Sequence, residues 1–151
     1  MNIRLAHASD LEVIAAYNMA LAHETEGLKL DAQTVREGVR AVLGNAAHGF
    51  YFVAEIDEQV AAQTMITFEW SDWRNGQIWW LQSVYVAKPF RGRGAFKALV
   101  GFILEAARQK PGVCALRLYM EAHNETARAA YYRLGFTQSN YVVFERAIDV
   151  S

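Results

Sequence analysis

Apolar positions change their period along this chain. From Leu11 to Leu43 they recur at helical spacing, from Phe50 to Ala87 they form β-branched and aromatic runs, and from Phe96 onward helical and strand-like stretches alternate. Ile3 to Ala6 reads as a short strand. Ser9-Asp-Leu-Glu12 has the form of a capping box opening a helix with Val13, Tyr17 and Leu21 on one face. His23 to Leu30 breaks the pattern, and Asp31 then caps a second helix carrying Val35, Val39, Val42 and Leu43, ended by Gly44. Phe50 to Ile56, Val60 to Trp70 and Ile78 to Ala87 predict three strands, with connections short enough for an antiparallel meander. A helix with Phe96, Leu99, Val100, Ile103 and Ala107 on one face follows, stopped by Pro111-Gly112. Val113 to Met120 is nearly continuously apolar, as a buried parallel strand would be, and the helix before it implies a right-handed crossover. Asn124 to Leu134 predicts a helix closed by Gly135, and Tyr141 to Ile148 a last strand. The expected order is β-α-α-β-β-β-α-β-α-β, a mixed α/β arrangement in a single domain, 1–151.

Composition narrows the classes. Over 151 residues the chain is 53% hydrophobic and 21% charged, which opposes disorder, and its net charge of −1 opposes broad recruitment to nucleic acid or a membrane surface. With one cysteine, Cys114, no intrachain disulfide forms and a reducing, cytoplasmic setting is expected, with Cys114 a small buried hydrophobe. No leader and no apolar run of spanning length is apparent. No histidine has partners at metal-ligand spacing, so no metal is expected.

The chemistry concentrates at Val84 to Phe96, where a strand runs into Lys88-Pro-Phe-Arg91-Gly-Arg-Gly94-Ala-Phe96 at a helix start. Glycines admit close backbone approach, and the first-turn N–H groups and helix dipole favour an anion. Gly92-Arg-Gly94-Ala-Phe-Lys97 lacks the spacing and hydroxyl of a nucleoside triphosphate loop. It also lacks the third glycine of a dinucleotide fingerprint, where Lys97 stands. A strand followed by Arg-x-x-Gly remains, suited to a pyrophosphate.

A second segment, Asn124-Glu-Thr-Ala127-Arg-Ala-Ala-Tyr131-Tyr-Arg-Leu-Gly135-Phe136, follows the next strand. Together the two segments resemble the GNAT superfamily of acetyl-CoA-dependent N-acyltransferases, and the resemblance covers essentially the whole chain. It implies a mixed central sheet with helices on both faces and acetyl-CoA as cosubstrate. It further implies backbone contacts to the pantetheine arm along Val84, Tyr85 and Val86, and a pyrophosphate cradle from Arg91, Gly92, Arg93, Gly94, Ala95 and Phe96. Asn124 becomes a polar coenzyme contact, and Tyr131 a coenzyme-side residue and the general acid. Phe96 stands where Gly or Ala is usual. Many relatives carry an acidic residue on the strand near Trp80, whereas Ile78 to Ala87 has none, so the general base is unassigned.

Residue chemistry fits acyl transfer to an amine. A primary amine must lose its proton before attack, a backbone N–H near Val84 can stabilise the developing oxyanion, and a phenol, neutral at pH 7, can protonate the leaving thiolate. Glu24 and Glu26, in the segment that resembles the family's substrate-side loop, are the candidates to attract a cationic amine or relay its proton. Gln82 and Ser83 are candidates to order a water. The expected partners are acetyl-CoA and an amine acceptor, a small cationic amine or a peptide amino group, with a homodimer an open option. Trp70, Trp73, Trp79 and Trp80 divide between core, acceptor wall and dimer surface in a way the sequence leaves open. Two alternatives stand beside this reading: a GNAT-like domain that binds acyl-CoA without catalysis, and an RNA-recognition module suggested by His48-Gly-Phe-Tyr-Phe-Val53 but opposed by the net charge.

Overall fold

The computed structural model describes residues 1–149. The elements are β1 (Asn2–Leu5), α1 (Leu11–Glu26), α2 (Ala32–Gly44), β2 (Phe50–Ile56), β3 (Gln59–Ser71), β4 (Gly76–Val86), α3 (Ala95–Arg108), β5 (Val113–Arg117) and α4 (Glu125–Arg133). The chain divides into two compact units: Met1 to Glu121, and the segment from Ala122 onward.

In the first unit five strands form one sheet in the order β1-β2-β3-β4-β5. β1 to β4 run antiparallel, β2 to β4 through short hairpin connections and β1 across the two intervening helices, and β5 joins β4 in parallel after α3. The period of two on β2 sends alternate residues to opposite faces. Tyr51 and Val53 pack with Ile14, Ala15 and Val39 of α1 and α2, while the Phe52 ring meets Phe102 of α3 edge-on at 5.3 Å. Tyr51 and Phe52 are therefore core residues. They are not a displayed stacking surface for bases, which removes the RNA-recognition alternative. On α3 the buried stripe is Ala95, Leu99, Val100, Ile103 and Ala107, with Phe96 only half-buried at its edge. Fully buried Ile14, Ile66, Ile78 and Ile103 would each cost about 2–5 kcal/mol on truncation to Ala.

Local details depart from the sequence expectations. The capping box is not built on Ser9. A short 3-10 turn, Ala8–Asp10, precedes α1, and Asp10 accepts the His7 N–H at 2.7 Å while Glu12 reaches across to Arg36 at 2.6 Å. On α1 the deepest residues are Ile14, Ala15 and Ala22, with Val13, Tyr17 and Leu21 half-buried. The segment expected to be irregular from His23 continues the helix to Glu26, because the stop is Gly27 in the left-handed conformation (φ 65°). Asp31 caps α2 as expected, accepting the Thr34 N–H at 2.9 Å. Cys114 is exposed rather than buried.

The second unit contains α4. Asn124 is its N-cap, accepting the Ala127 N–H at 3.1 Å, and Gly135 (φ 89°) follows its end. Within this unit taken by itself, residues 136–149 carry no helix or ladder of their own. No described helix is long and apolar enough to cross a membrane.

Candidate active site

β4 has two unlike halves. Gln77 to Trp80 has β3 on one side and β5 on the other. From Leu81 to Val86 only β3 pairs with it among the described residues, so backbone groups on the β5 side of this stretch face outward from the sheet. Within that half, Ser83 and Val84 stand together opposite Thr64, because the register passes from Met65↔Gln82 to Gln63↔Tyr85. The bulge bends the strand and carries Ser83 to φ 52°, a left-handed conformation that costs a non-glycine residue about 1–3 kcal/mol. The Ser83 carbonyl accepts from the Gln63 side chain at 3.2 Å, and that of Gln82 from Thr64 at 3.1 Å, two side-chain substitutes for ladder bonds.

Beyond Val86 the chain turns through Lys88–Phe90 into Arg91 to Gly94 and α3. Gly92 (φ 81°) and Gly94 (φ 79°) take left-handed conformations, and a Cβ added at either would meet nothing within 4 Å. The loop is thus open where a ligand's phosphates would approach, and it lies at the N-terminus of a fourteen-residue helix. Arg91 and Arg93 are exposed around it. Glycine spacing, open space beside both glycines, two guanidiniums and the helix dipole fit a pyrophosphate; the backbone edge of Leu81 to Val86 that β5 does not pair fits the amides of a pantetheine arm.

Arg91 is held on three sides. Its Nε donates to the Val86 carbonyl at 2.9 Å, its Nη2 to Glu24 at 2.8 Å, and its guanidinium lies 5.5 Å from the Tyr85 ring centre. Lys88 also approaches Glu24, at 3.4 Å. Partial burial pushes the Glu24 carboxyl up, but Arg91 and Lys88 outweigh it and hold it below the usual range. Burial, and after it the Glu24 charge, pushes the Tyr85 phenol up.

The two carboxylates taken from the sequence as a pair are therefore separated. Glu24 turns to the cradle. Glu26 lines a cavity of about 400 Å³ between α1, α2 and the sheet, whose apolar wall includes Leu21, Val35, Val39, Val42 and Met65 and whose polar groups include Asn18, Tyr51 and Ser83. Asn18 donates to the Tyr51 hydroxyl at 3.3 Å and accepts from Gln63 at 2.7 Å. Gln63 is fully buried, and its Oε1 has no hydrogen-bond partner. This chain from Tyr51 through Asn18 and Gln63 to the bulge escaped the sequence reading. Its sequence signal is a glutamine beside a threonine, Gln63-Thr64, inside a mostly apolar strand run. Gln82, expected to order a water, instead donates to Thr67 at 2.6 Å. Trp79 is core, Trp80 donates to Glu69 at 2.8 Å, and Trp70 and Trp73 are exposed.

In the second unit, Tyr131 lies on α4 with its ring 5.9 Å from that of Phe136, and burial pushes its phenol up, so it remains protonated through the neutral range. Tyr132, next to it, is half exposed. The side-chain oxygen of Asn124, expected at the coenzyme, is occupied as the helix cap.

Sequence and structure comparisons decide the family. Residues 16–136 match the model of the acetyltransferase (GNAT) family. The chain belongs to it. This GNAT chain is 30% identical to a mycothiol acetyltransferase of Corynebacterium aurimucosum over 85% of its own length and 43% of the relative's. It spans less than half the length of the curated relatives it matches. A solved possible acetyltransferase from Clostridium difficile 630 is 40% identical, with a TM-score of 0.93 over 99% of this chain and 98% of that one. A predicted acetyltransferase from Clostridium acetobutylicum solved with acetyl-CoA shares the fold at 16% identity, with a TM-score of 0.77 over 96% and 95% of the two chains. The family this chain belongs to is one of acetyltransferases.

Proposed function

We propose that this chain transfers the acetyl group of acetyl-CoA to a primary amine by direct attack in a ternary complex. The observation that carries the reading is the half of β4 that lacks a β5 partner, bulged at Ser83–Val84 and leading into the glycine cradle. Acetyl-CoA supplies an activated acetyl thioester. The chain's own residues do the rest. Arg91, Arg93 and the amides at the start of α3 would hold the pyrophosphate, and backbone groups from Val84 to Val86 would hold the pantetheine arm. A backbone N–H in the bulge at Val84 would stabilise negative charge on the carbonyl oxygen under attack. The Tyr131 hydroxyl, kept protonated by burial, would supply the proton that the departing sulfur takes up.

The amine would enter by the cavity between α1 and α2, where Glu26 attracts an ammonium and Asn18, Tyr51 and Ser83 offer polar contacts. Its walls favour an amine carried on an apolar body over a polyhydroxylated one, since burying hydroxyls without partners is costly. Glu24, turned to Arg91, is assigned to the cradle rather than to the acceptor.

The test is thiol release from acetyl-CoA across a panel of aliphatic amines, polar amines and peptides. Acetylated amine with stoichiometric thiol is expected, best with aliphatic amines or peptides whose first residue is apolar. CoA binding without amine-dependent thiol release would favour the non-catalytic alternative.

A further inference from the structure

Gln63, Asn18 and Tyr51 run from the bulge in β4 to the cavity between α1 and α2, and their hydrogen bonds have one direction. The Ser83 carbonyl sets it. A carbonyl can only accept, so the Gln63 amide must turn its Nε2 toward Ser83, at 3.2 Å; reversed, the amide would bring two oxygens together. The other N–H of Gln63 donates to the Asn18 oxygen at 2.7 Å, which leaves the Asn18 nitrogen to donate to the Tyr51 oxygen at 3.3 Å. The arrangement leaves Gln63 Oε1 buried and without a hydrogen-bond partner among the described residues. Tyr51 is the last link. Its oxygen accepts from Asn18, it makes no other hydrogen bond among the described residues, and burial pushes its phenol up, so the proton stays on at neutral pH. Tyr51 lines the cavity, whose wall is otherwise apolar through Leu21, Val35, Val39 and Val42. The cavity therefore meets a hydroxyl whose oxygen is engaged and whose proton is available.

We propose that Tyr51 determines specificity for the amine: its hydroxyl donates to a carbonyl oxygen of the acceptor, so the site selects amines that carry an amide carbonyl beside an apolar side chain, as an α-amino amide or a peptide N-terminus does, over plain alkyl amines. This rests on the cavity being the acceptor site, as proposed above. A carbonyl oxygen is the complement because it only accepts, while this hydroxyl, engaged at its oxygen, is left to donate. Asn18 and Gln63 are positioning residues: they keep the Tyr51 oxygen occupied and its proton turned to the ligand. A site built to hydrogen-bond a substrate group discriminates against the analogue lacking it, because the buried donor is then left unpaired.

The probes are leucinamide and isopentylamine, which differ by the carboxamide, titrated calorimetrically into the CoA-saturated protein. Wild type should bind leucinamide more tightly. Tyr51→Phe should weaken leucinamide about 5- to 10-fold, the worth of one neutral hydrogen bond, and isopentylamine by less than about twofold. Gln63→Met frees Asn18 to turn its oxygen to the Tyr51 proton, so the preference should fall as far with Tyr51 still in place. The difference in basicity between the probes is common to all variants and cancels in the ratio, whereas a merely structural role would weaken both amines alike. Tyr51→Phe carries the test by itself should the buried Gln63 substitution fail to fold. Three results overturn the proposal: no leucinamide binding, a preference that survives Tyr51→Phe, or equal loss of both amines in that variant; a preference kept by folded Gln63→Met overturns the positioning role. Thiol release from acetyl-CoA keeps the two readings apart, since a Tyr51-dependent preference in binding without amine-dependent release would overturn the transfer reaction and leave the Tyr51 contact standing.

Discussion

The two units of this protein divide their work unequally. Residues up to Glu121 bury Ile14, Ile66, Ile78, Leu99 and Ile103 almost completely, whereas from Ala122 to Asp149 no residue reaches full burial. The first carries the anion cradle, the free edge of β4 and the amine-sized cavity, all on elements locked by packing. The second carries Tyr131 on a nine-residue helix held by the Asn124 cap and the Tyr131–Phe136 contact. Binding groups with many partners need a fixed scaffold, because misplacing one weakens all; a single proton donor needs only its protonation state and reach. Binding is thus expected to depend on the first unit and proton transfer on the second.

The sharpest way to break this division is Tyr131→Phe, which should lower turnover by roughly 10- to 1000-fold, about 1.4–4 kcal/mol of barrier, with CoA affinity nearly unchanged. Tyr132→Phe should be close to silent. Steady-state rates with CoA titrations on both variants check this, and equal turnover of Tyr131→Phe and wild type removes the phenol from the chemistry.

The scaffold side is probed by Asp10→Asn. Asp10 accepts from Arg4 at 2.8 and 3.1 Å, and Arg4 also reaches Glu55 at 2.9 Å, joining β1, β2 and the start of α1. The Arg4 bonds hold the Asp10 carboxyl below its usual range, against the opposing effect of burial. A carboxylate whose pKa is depressed on folding contributes stability above its unfolded value of about 3.9 and loses it as pH falls through the lower folded value. Asp10→Asn should therefore cost about 1.5–3 kcal/mol at pH 7 and progressively less below about pH 4. Urea denaturation of both proteins at pH 7 and pH 3 gives the comparison, and a gap that does not narrow would place the loss elsewhere.

Gly94→Val should weaken CoA binding about tenfold or more, through backbone strain rather than crowding, since φ 79° disfavours a β-branched residue while the space beside it is open. Thermal shifts read it. Wild type at 100 times its dissociation constant gains about 2.7 kcal/mol from CoA, and an undiminished shift in the variant would put the phosphates elsewhere.

The smallest effects separate Glu24 from Glu26. Removing the carboxylate that competes for Arg91, Glu24→Gln should tighten CoA binding up to about fivefold, the ~1 kcal/mol ceiling of an exposed pair, and leave the amine KM alone. Glu26→Gln should raise the amine KM by a similar factor, more at low salt. The reverse pattern would return Glu24 to the acceptor side.

Much of the candidate site was proposed from order along the chain. Arg91 to Phe96 follows directly on β4, and Asn124 to Phe136 is one continuous helix motif, so local spacing alone carried the cradle, the candidate acid and the resemblance to an acyltransferase. The same locality served the strands, the Asp31 cap and the α3 stripe, where each residue's partner lies within a few positions. Tertiary structure decided what depends on partners far apart. Glu24 meets Arg91 across 67 positions and Gln63 meets Asn18 across 45, and neither separation leaves a periodic trace. The Ser83 bulge exists only relative to the register of β3, and the free half of β4 only because β5 pairs no further than Trp80. The strand propensity of Tyr141 to Ile148 is likewise set by residue type, whereas the backbone that would pair with such a segment is fixed only by tertiary structure.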